Sequence, residues 1–350
     1  MHFLVIGGTR FMGVTLVERL LAEGDQVTVL SRGKLQPPWW DRVGHILADR
    51  TDREEFRRQL KGRQFDGAID MVAFERDDVQ NADEALAGNI GRYLFVSSTS
   101  VYQNMGIDYR ANCPIPESVG DWSGLDYSLP AGPEGESQYA AKKRHCEKWL
   151  VENARTDYTI IRLSSVMGCY EDRSKRLWWW VQRLLDGGPM LMAMEDRACF
   201  RTIFQEDVAP NLIRAIKSPA TARGIYHLTA PEILDDVTWT DAIWSALGKT
   251  CDRVYVPWEV IRRRATLASF SPPMLRAAPN VPDISRGCRD FGLSTTPFSQ
   301  RITAAAQWYA HHYTGVPDRP FNSSGYENRA AETELARHWR GRFAALVGEA

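Results

Sequence analysis

The feature that most constrains this chain is a glycine-rich turn close to its beginning. Residues 3–6 form a short apolar run, and residues 11–23 repeat apolar side chains at helical spacing. The turn follows the apolar run and overlaps the start of the helical pattern, and it consists of Gly7, Gly8, Thr9, Arg10, Phe11, Met12 and Gly13. Glycine lets backbone N–H groups approach a pyrophosphate, and the N-terminus of a helix attracts negative charge. A strand, this turn and a helix therefore predict a dinucleotide site, with a plain strand-to-helix turn as the alternative.

Apolar runs and helical patterns alternate through the first half of the sequence. The predicted strands are residues 3–6, 26–30, 46–48, 68–72, 93–97 and 158–163. The predicted helices are residues 11–23, 53–60, 77–86 and 138–153. Strands that alternate with helices indicate parallel crossovers. We therefore expect an α/β protein with a Rossmann-type, doubly wound parallel sheet.

The second half loses this alternation, although residues 224–229 predict one further strand. We expect residues 1–165 and a return segment, 203–230, to form the dinucleotide-binding domain. Residues 166–202 and 231–350 then form a smaller C-terminal domain. The last twenty-odd residues mix charges and alanines, a pattern that predicts a peripheral helix.

Charge, hydropathy and cysteine content argue against several classes of protein. Lys and Arg number 43 against 44 Asp and Glu, and this net charge of −1 does not favour nucleic acid as a partner. The sequence has no apolar run of about 18 residues to span a membrane. Its first residues lack the basic start and cleavage site of a signal peptide. The six cysteines form no CxxC pair, so we expect reduced thiols, no metal site and a cytoplasmic protein.

The glycine turn resembles the opening of the extended short-chain dehydrogenases/reductases, which usually reads Gly-Gly-Thr-Gly-Phe-(Ile/Leu)-Gly. Arg10 stands at the middle glycine of that motif. The variant resembles an atypical branch, which includes chloroplast stem-loop RNA-binding proteins and bacterial epimerase/dehydratase-like proteins. The resemblance extends over residues 2–230 and implies a nicotinamide cofactor. It thus implies that the dinucleotide-binding domain binds NAD(P) and that the C-terminal domain is a substrate-binding lid.

The end of the second predicted strand bears on the choice of cofactor. An NAD site often has an acid there, for the ribose 2′-OH, but this strand ends in Ser31 and Arg32. A guanidinium binds phosphate well, so we expect NADP rather than NAD, with solvated loop charges as the alternative. The resemblance implies further cofactor contacts, with Asp49 at the adenine, from Asp49, Arg50, Val72, Ala73, Ser97, Lys143, Leu163, Ser165 and Val166.

A Tyr-x-x-x-Lys motif lies on the predicted helix 138–153. Tyr139 and Lys143 are four residues apart and therefore share one helix face. An ammonium group beside a phenol favours the phenolate, which can take a proton from a substrate alcohol while hydride leaves for the nicotinamide. By resemblance, Lys143 also holds the nicotinamide ribose. The expected chemistry is oxidation of an alcohol or, in reverse, reduction of a carbonyl.

The resemblance also implies a catalytic hydroxyl at the end of the fifth predicted strand. It selects Ser98, with Ser97 and Ser100 as alternatives. Such a hydroxyl can hydrogen-bond the substrate oxygen and stabilise developing charge. The family often adds an asparagine, for which Asn81 and Asn89 both qualify.

Candidate substrate residues are Tyr102, Tyr170, Trp178 and Arg201. Trp178 opens a run of three tryptophans that cannot share one helix face, so they either pack the lid or include one that meets a ligand. We predict an NADP(H)-dependent oxidoreductase acting on a secondary alcohol or ketone of a small, sugar- or nucleotide-like metabolite. The alternatives are an epimerase or dehydratase that recycles its cofactor, and a non-catalytic nucleotide- or RNA-binding protein. The sequence is compatible with a homodimer.

Overall fold

The alternating pattern of the first half folds into a seven-stranded sheet. The structure, a computed structural model, describes residues 1–103, 105–129, 136–169, 176–268, 270–312 and 328–348. Its strands are β1 (His2–Ile6), β2 (Gln26–Ser31), β3 (Gly44–Leu47), β4 (Gly67–Asp70), β5 (Tyr93–Ser98), β6 (Tyr158–Leu163), β7 (Ser165–Met167), β8 (Met190–Ala193), β9 (Thr202–Phe204), β10 (Gly224–Leu228) and β11 (Arg253–Val256). Its helices are α1 (Met12–Ala22), α2 (Arg53–Leu60), α3 (Arg76–Leu86), α4 (Glu136–Asn153), α5 (Arg176–Leu185), α6 (Gln205–Lys217), α7 (Asp236–Leu247), α8 (Trp258–Arg262), α9 (Ser285–Phe291), α10 (Phe298–His312) and α11 (Arg329–Gly348).

The sheet has the strand order β10-β6-β5-β4-β1-β2-β3, and every neighbouring pair is parallel. The chain runs outward from β1 to β3, then crosses back so that β4 lies on the other side of β1. This reversal is the topological switch point at which doubly wound sheets bind ligands, beyond the carboxyl ends of the strands. The predicted Rossmann-type fold is confirmed.

The two faces of the sheet are covered by different helices. Side chains of a strand alternate between faces, and in β1 both sets are apolar and buried. Phe3 and Val5 belong to the cluster that includes apolar residues of α1 and α6. Leu4 and Ile6 belong to the cluster that includes residues of α2, α3 and α4. Burial on both faces explains why the strand reads as a continuous apolar run.

The chain divides into two compact units. The first unit is Met1–Val166 with Thr202–Pro231 and Pro282–Thr295, and the second is Met167–Arg201 with Glu232–Val281 and Thr296–Ala350. The segment Pro282–Thr295 therefore belongs to the first unit, although the sequence assigned it to the lid. Tyr226 of β10 stacks edge-on against Phe291 of α9, at a centroid distance of 5.6 Å, and donates to Asp290 at 3.0 Å. These contacts join a late segment to the edge of the sheet.

The second unit is mainly helical, with β8 and β11 as a parallel pair. Helix α10 packs on α5 and α7, and α11 packs on β8 and β11. Helix α11 is not peripheral as expected, because Glu332 and Leu335 are fully buried. Arg183 of α5 donates to Glu332 at 2.8 Å and covers the ring of Trp179 at 3.4 Å. The helix pattern alone does not reveal this ion pair.

Candidate active site

The glycine turn between β1 and α1 is tightly packed. Gly7 has a φ of 89°, and a Cβ there would lie 2.5 Å from a methyl of Val72. A Cβ on Gly13 would lie 2.9 Å from the backbone of Gly8, and the Gly13 N–H donates to Arg10 O at 2.8 Å. Larger residues at Gly7 or Gly13 would therefore displace the loop.

Helix α1 begins at this turn in a form that suits a pyrophosphate. Its N-cap residue, Phe11, gives no side-chain hydrogen bond, and its first turn holds no acid. The first N–H groups of a helix and its partial positive charge favour an anion. Glycine at positions 7 and 13 lets the loop pack closely at the start of the helix, so the residues fit a dinucleotide. Thr9 is half-buried and Arg10 exposed beside them.

The unusual backbone conformation of this turn lies at Phe11 and not at Arg10. Among the non-glycine residues of the described chain, positive φ values occur at Phe11, Arg223 and Met274. Phe11 has φ 44° and ψ −125°, a conformation that typically costs an L-residue about 1–3 kcal/mol. Arg10 thus replaces a glycine without needing a left-handed backbone.

The end of β2 presents a charged surface to solvent. Ser31 is the last residue of β2, and its Oγ accepts from Gly33 N at 3.3 Å. The next side chain, Arg32, is 61% exposed and approaches Asp49 to 4.0 Å. The N–H and hydroxyl of Thr51 donate to Asp49 and are the main reason why its pKa is lowered. No acid stands at the end of β2.

Arg50 has internal partners. Its guanidinium donates twice to Asp70, at 2.8 and 3.0 Å, and once to Asp78 O at 3.0 Å. Asp70 is fully buried and also accepts from Tyr93 at 2.7 Å. Burial lowers the pKa of Arg50, but Asp70, Tyr93 and Asp78 together outweigh this effect, so the net shift is upward. Arg50 therefore ties the ends of β3 and β4 together, a contact that the sequence did not reveal.

Ser97 and Ser98 differ in their surroundings at the end of β5. Ser97 is buried, and its hydroxyl donates to Glu147 at 2.5 Å. Ser98 is half-exposed, and its Oγ accepts from Ser100 N and donates to Ser100 Oγ, both at 3.1 Å. Of the candidate hydroxyls, Ser98 and Ser100 are therefore accessible to a ligand and Ser97 is not.

Lys143 is almost fully buried on α4. Its ammonium group donates to Ala73 O at 2.7 Å and to Val96 O at 2.8 Å, which uses two of its three donors. It lies 4.7 Å from the ring centroid of Phe95 and 5.9 Å from that of Tyr139. The structure thus brings the expected phenol and ammonium together on one helix face.

Tyr139 and its neighbours complete the site. Tyr139 is half-buried, and its ring centroid lies 6.4 Å from that of Phe74, a residue that follows β4 and is 42% exposed. Asn81 is buried, and its side-chain nitrogen has no hydrogen-bond partner among the described residues. Asn89 instead donates to Ala87 O at 3.5 Å. An unpaired buried amide is costly, so Asn81 is the better candidate for an added ligand or water.

The remaining cofactor candidates are mostly buried around the carboxyl ends of β4 and β6. Val72 is half-buried, and Ala73 is fully buried. Leu163 and Val166 are 4% and 8% exposed. Ser165 is half-buried, and its carbonyl accepts from Thr202 at 2.6 Å.

Three of the four candidate substrate residues are described, and each is buried. Tyr102 is 3% exposed, and its hydroxyl is bonded to His227 and Arg162, both at 2.7 Å. Trp178 is 7% exposed and stacks on Tyr309 at 5.9 Å, and Arg201 is 8% exposed. All three tryptophans of α5 are buried, which agrees with the packing interpretation. Tyr170 lies outside the described residues.

A buried ion pair beneath the site was missed at the sequence level. Arg162 of β6 and Glu147 of α4 have no exposed side-chain surface and are 2.7 Å apart. Arg162 interrupts an otherwise apolar or uncharged strand, where a buried arginine needs a partner. The unexplained charge was thus the available signal, but its partner could not be deduced from spacing.

The family model for the NAD dependent epimerase/dehydratase family matches residues 3–228. The chain belongs to this family. The match confirms the family resemblance drawn from the sequence, and with it the expected class of NAD(P)-dependent enzyme. The family is described as NAD dependent, which supports a nicotinamide cofactor.

Two curated relatives differ in the extent of their similarity. The chloroplast stem-loop binding protein of 41 kDa b of Arabidopsis thaliana is 33% identical over 112 residues, which is 28% of this chain and 29% of that protein. The chain thus matches less than a third of this relative's length. The 2'-dehydrokanamycin reductase of Streptomyces kanamyceticus is 22% identical over 273 residues, 77% of this chain and 73% of that protein.

Solved structures share the fold at low identity. The UDP-glucose 4-epimerase of Thermotoga maritima is 14% identical, with a TM-score of 0.67 over 89% of this chain and 99% of that one. The enzyme WbmH of Bordetella bronchiseptica, solved with NAD+, is 19% identical, with a TM-score of 0.64 over 89% of this chain and 98% of that one.

Within the described residues, no helix is long and apolar enough to cross a membrane. No cluster of three or more His, Cys, Asp or Glu residues in that part of the chain could hold a metal ion.

Proposed function

We propose that this chain is an NADP(H)-dependent oxidoreductase that acts on a secondary alcohol or ketone of a small, sugar-like metabolite. The observation that carries the proposal is the meeting of Tyr139 and Lys143 on α4, with the ammonium 5.9 Å from the phenol ring. Ser98, half-exposed at the end of β5, adds a hydroxyl. A phenol, an ammonium group and a hydroxyl can move a proton and stabilise a developing oxyanion.

In the reductive direction, Tyr139 donates its proton to the substrate carbonyl oxygen. Ser98 donates a hydrogen bond to the same oxygen, where negative charge develops. Lys143 stabilises the phenolate that is left, because opposite charges attract most strongly where water is scarce. The nicotinamide, when bound, supplies or accepts the hydride. In the oxidative direction the Tyr139 phenolate takes the proton from the substrate hydroxyl.

The preference for NADP rests on the surface at the end of β2. Arg32 is 61% exposed, and its ionic contact with Asp49 is a loose approach at 4.0 Å. Such a pair is weak in water, so the guanidinium can turn to a 2′-phosphate at little cost. Asp49 is expected at the adenine amino group, with Ser31 and Arg10 near the phosphates. Arg50, engaged with Asp70, then acts by supporting this surface.

A titration and a substrate panel test the proposal. NADPH and NADH are added to the protein, and binding is followed by nicotinamide fluorescence. NADPH should bind at least tenfold tighter, a difference of about 1.4 kcal/mol. Keto-sugars, including 2'-dehydrokanamycin, are then screened for NADPH oxidation at 340 nm. Failure to bind either nucleotide would overturn the proposal, and equal affinities would remove its NADP part.

A second candidate is an epimerase that oxidises and re-reduces one carbon of a sugar nucleotide. It is favoured by the structural similarity to the UDP-glucose 4-epimerase of Thermotoga maritima. The same Tyr139, Lys143 and Ser98 would serve both half-reactions. Conversion of UDP-glucose to UDP-galactose with no net change at 340 nm would select this function over a reductase.

A third candidate belongs to another class, a nucleotide- or RNA-binding protein without catalysis. The similarity to the chloroplast stem-loop binding protein over 112 residues favours it. The near balance of charges speaks against it, because RNA affinity depends strongly on cationic contacts. Retention of a stem-loop RNA on a filter, without NADPH binding, would select this function.

Arg201 and Trp178 remain proposed substrate contacts, and we expect the protein to work in the cytoplasm. Arg201→Ala should raise the KM of the substrate found in the panel and leave NADPH binding intact. An unchanged KM would make Arg201 a packing residue, which its exposure of 8% also suits.

A further inference from the structure

Glu147 lies one helical turn beyond Lys143 on α4 and is fully buried. Its carboxylate accepts from Ser97 at 2.5 Å and from the indole of Trp122 at 2.6 Å. Arg162 donates to it through Nε at 3.1 Å and through Nη2 at 2.7 Å. A buried carboxylate with this many charge-assisted and neutral donors has little freedom to move.

The cation of this group is held equally firmly. Arg162 also donates to the carbonyls of Glu117 and Gly120, at 2.9 and 3.1 Å, and to Tyr102 at 2.7 Å. A Cβ on Gly120 would overlap the guanidinium, so the loop packs directly on it. The position of Glu147 is therefore set by strand β6 and by the loop around residue 120.

Two successive residues of β5 are tied to two successive turns of α4. Val96 O accepts from Lys143 at 2.8 Å, and Ser97 donates to Glu147 at 2.5 Å. Arg144 of α4 also donates to Val101 O, at 2.9 Å, just beyond the strand. The bonds at Val96 and Ser97 reach the strand itself, and together they limit sliding and rotation of the helix against it. Ser98 follows Ser97 directly in the strand, and Tyr139 lies one helical turn before Lys143.

We propose that Ser97 and Glu147 are positioning residues, whose hydrogen bond holds the Tyr139 helix in register with the Ser98 strand end. This reassigns Ser97 from cofactor binding to alignment of the site. The inference rests on the proposed function, in which Tyr139 and Ser98 act on one oxygen. Reactions that need such alignment lose rate steeply when groups shift by about 1 Å, so a support of this kind matters for turnover.

The test is a spectroscopic one that needs no substrate. The protein is produced with 3-fluorotyrosine, and the Tyr139 resonance is assigned by its loss in Tyr139→Phe. Ser97→Ala removes one tether, and Ser97→Thr keeps the hydroxyl. Trp122→Phe is the matched control, because it also removes one donor from Glu147 but leaves β5 tied to α4. Glu147→Ala is avoided, because it would leave Arg162 buried without its partner.

The Tyr139 fluorine resonance should shift or broaden in Ser97→Ala, return in Ser97→Thr and stay unchanged in Trp122→Phe. An unchanged resonance in the folded Ser97→Ala protein would overturn the proposal, and so would an equal change in the tryptophan control. Loss of thermal stability alone, without movement of the resonance, would make the bond merely structural and also count against it. The proposed function fails separately, through lack of NADPH binding by the unmodified protein.

Discussion

Two regions of the candidate site differ in how their charges are held. We call the region around Tyr139, Lys143 and Glu147 the catalytic end, and the region around Arg32 and Asp49 the adenosine end. At the catalytic end, Lys143 and Glu147 are 2% and 0% exposed and each makes at least two hydrogen bonds with the protein. At the adenosine end, Arg32 and Asp49 are 61% and 45% exposed and approach each other only to 4.0 Å. Under the proposed function, charge is buried and fixed beside the acid/base pair, and it is exposed to water where the phosphate would bind.

Desolvation explains the difference. Burying a charge costs desolvation free energy, which several short hydrogen bonds must offset. Those hydrogen bonds also hold the charged group in one place. An exposed pair contributes about 0–1 kcal/mol and gives up its partner readily to a ligand. The catalytic end is therefore expected to be sensitive to substitution in rate and stability, and the adenosine end mainly in ligand choice.

The largest expected effect is on turnover at the catalytic end. Tyr139→Phe keeps the ring and removes the proton-carrying oxygen, so kcat should fall by about 10²–10⁴-fold. NADPH affinity and thermal stability should change little. Tyr109→Phe, which also removes one phenolic oxygen, is the control and should retain its activity. Near-normal turnover in Tyr139→Phe would move the acid/base role to another residue.

The buried pair beneath the site should show the next effect, in stability. Arg162→Met leaves Glu147 buried without its cation and should reduce the free energy of unfolding by about 3–5 kcal/mol, measured by urea denaturation. Adding Glu147→Leu removes the stranded charge and should recover part of the loss. If the double variant is less stable than Arg162→Met, the cost does not come from an unpaired charge.

At the adenosine end, ligand choice should change without loss of stability. Arg32→Ala should weaken NADPH binding about tenfold, roughly 1.4 kcal/mol, and leave NADH binding unaltered. Arg63→Ala, which removes an exposed arginine just before β4, serves as the control for net charge. Equal losses for both nucleotides would show that Arg32 does not contact a 2′-phosphate.

The smallest effect is expected for the exposed ion pair itself. Asp49→Asn should change the free energy of unfolding by less than about 1 kcal/mol near neutral pH. Hydrogen bonds from Thr51 lower the pKa of Asp49, so its contribution is present above the ordinary aspartate pKa and is lost as pH falls through the lowered value. The difference between variant and unmodified protein should therefore vanish on acidification. A difference that grew below pH 4 would contradict this assignment.

The local sequence pattern predicted most strands of the large sheet, but it did not predict every strand end or the short strands. Helix α2 and strand β6 begin and end where the sequence indicated. Strand β4 ends at Asp70, two residues earlier than expected, and the side chain of Asp70 accepts from Arg50. Four strands, β7, β8, β9 and β11, were not predicted. They have three or four residues each, too few for alternation to be read from sequence.

The motifs identified the candidate residues of the site, but they did not predict the contacts and burial of each residue. The resemblance selected Ser98 and kept Ser97 and Ser100 as alternatives, and the structure separates Ser97 from them by burial and by its bond to Glu147. The sequence could not choose between Asn81 and Asn89, and only Asn81 is left with an unpaired buried nitrogen. Tyr102 was expected at the substrate and is instead bonded to Arg162 in the core.

By itself the sequence determined the features that depend on neighbours along the chain. The glycine turn, the strand-helix alternation and the Tyr139–Lys143 spacing are local features. Steric limits on the backbone and the spacing of residues in a helix allow them to be predicted from the sequence. The tertiary structure decided which buried charges meet, since Arg162 and Glu147, or Arg183 and Glu332, belong to different elements. Such pairs form because folding removes water from both charges at once, and no periodicity in the sequence records which partner satisfies which.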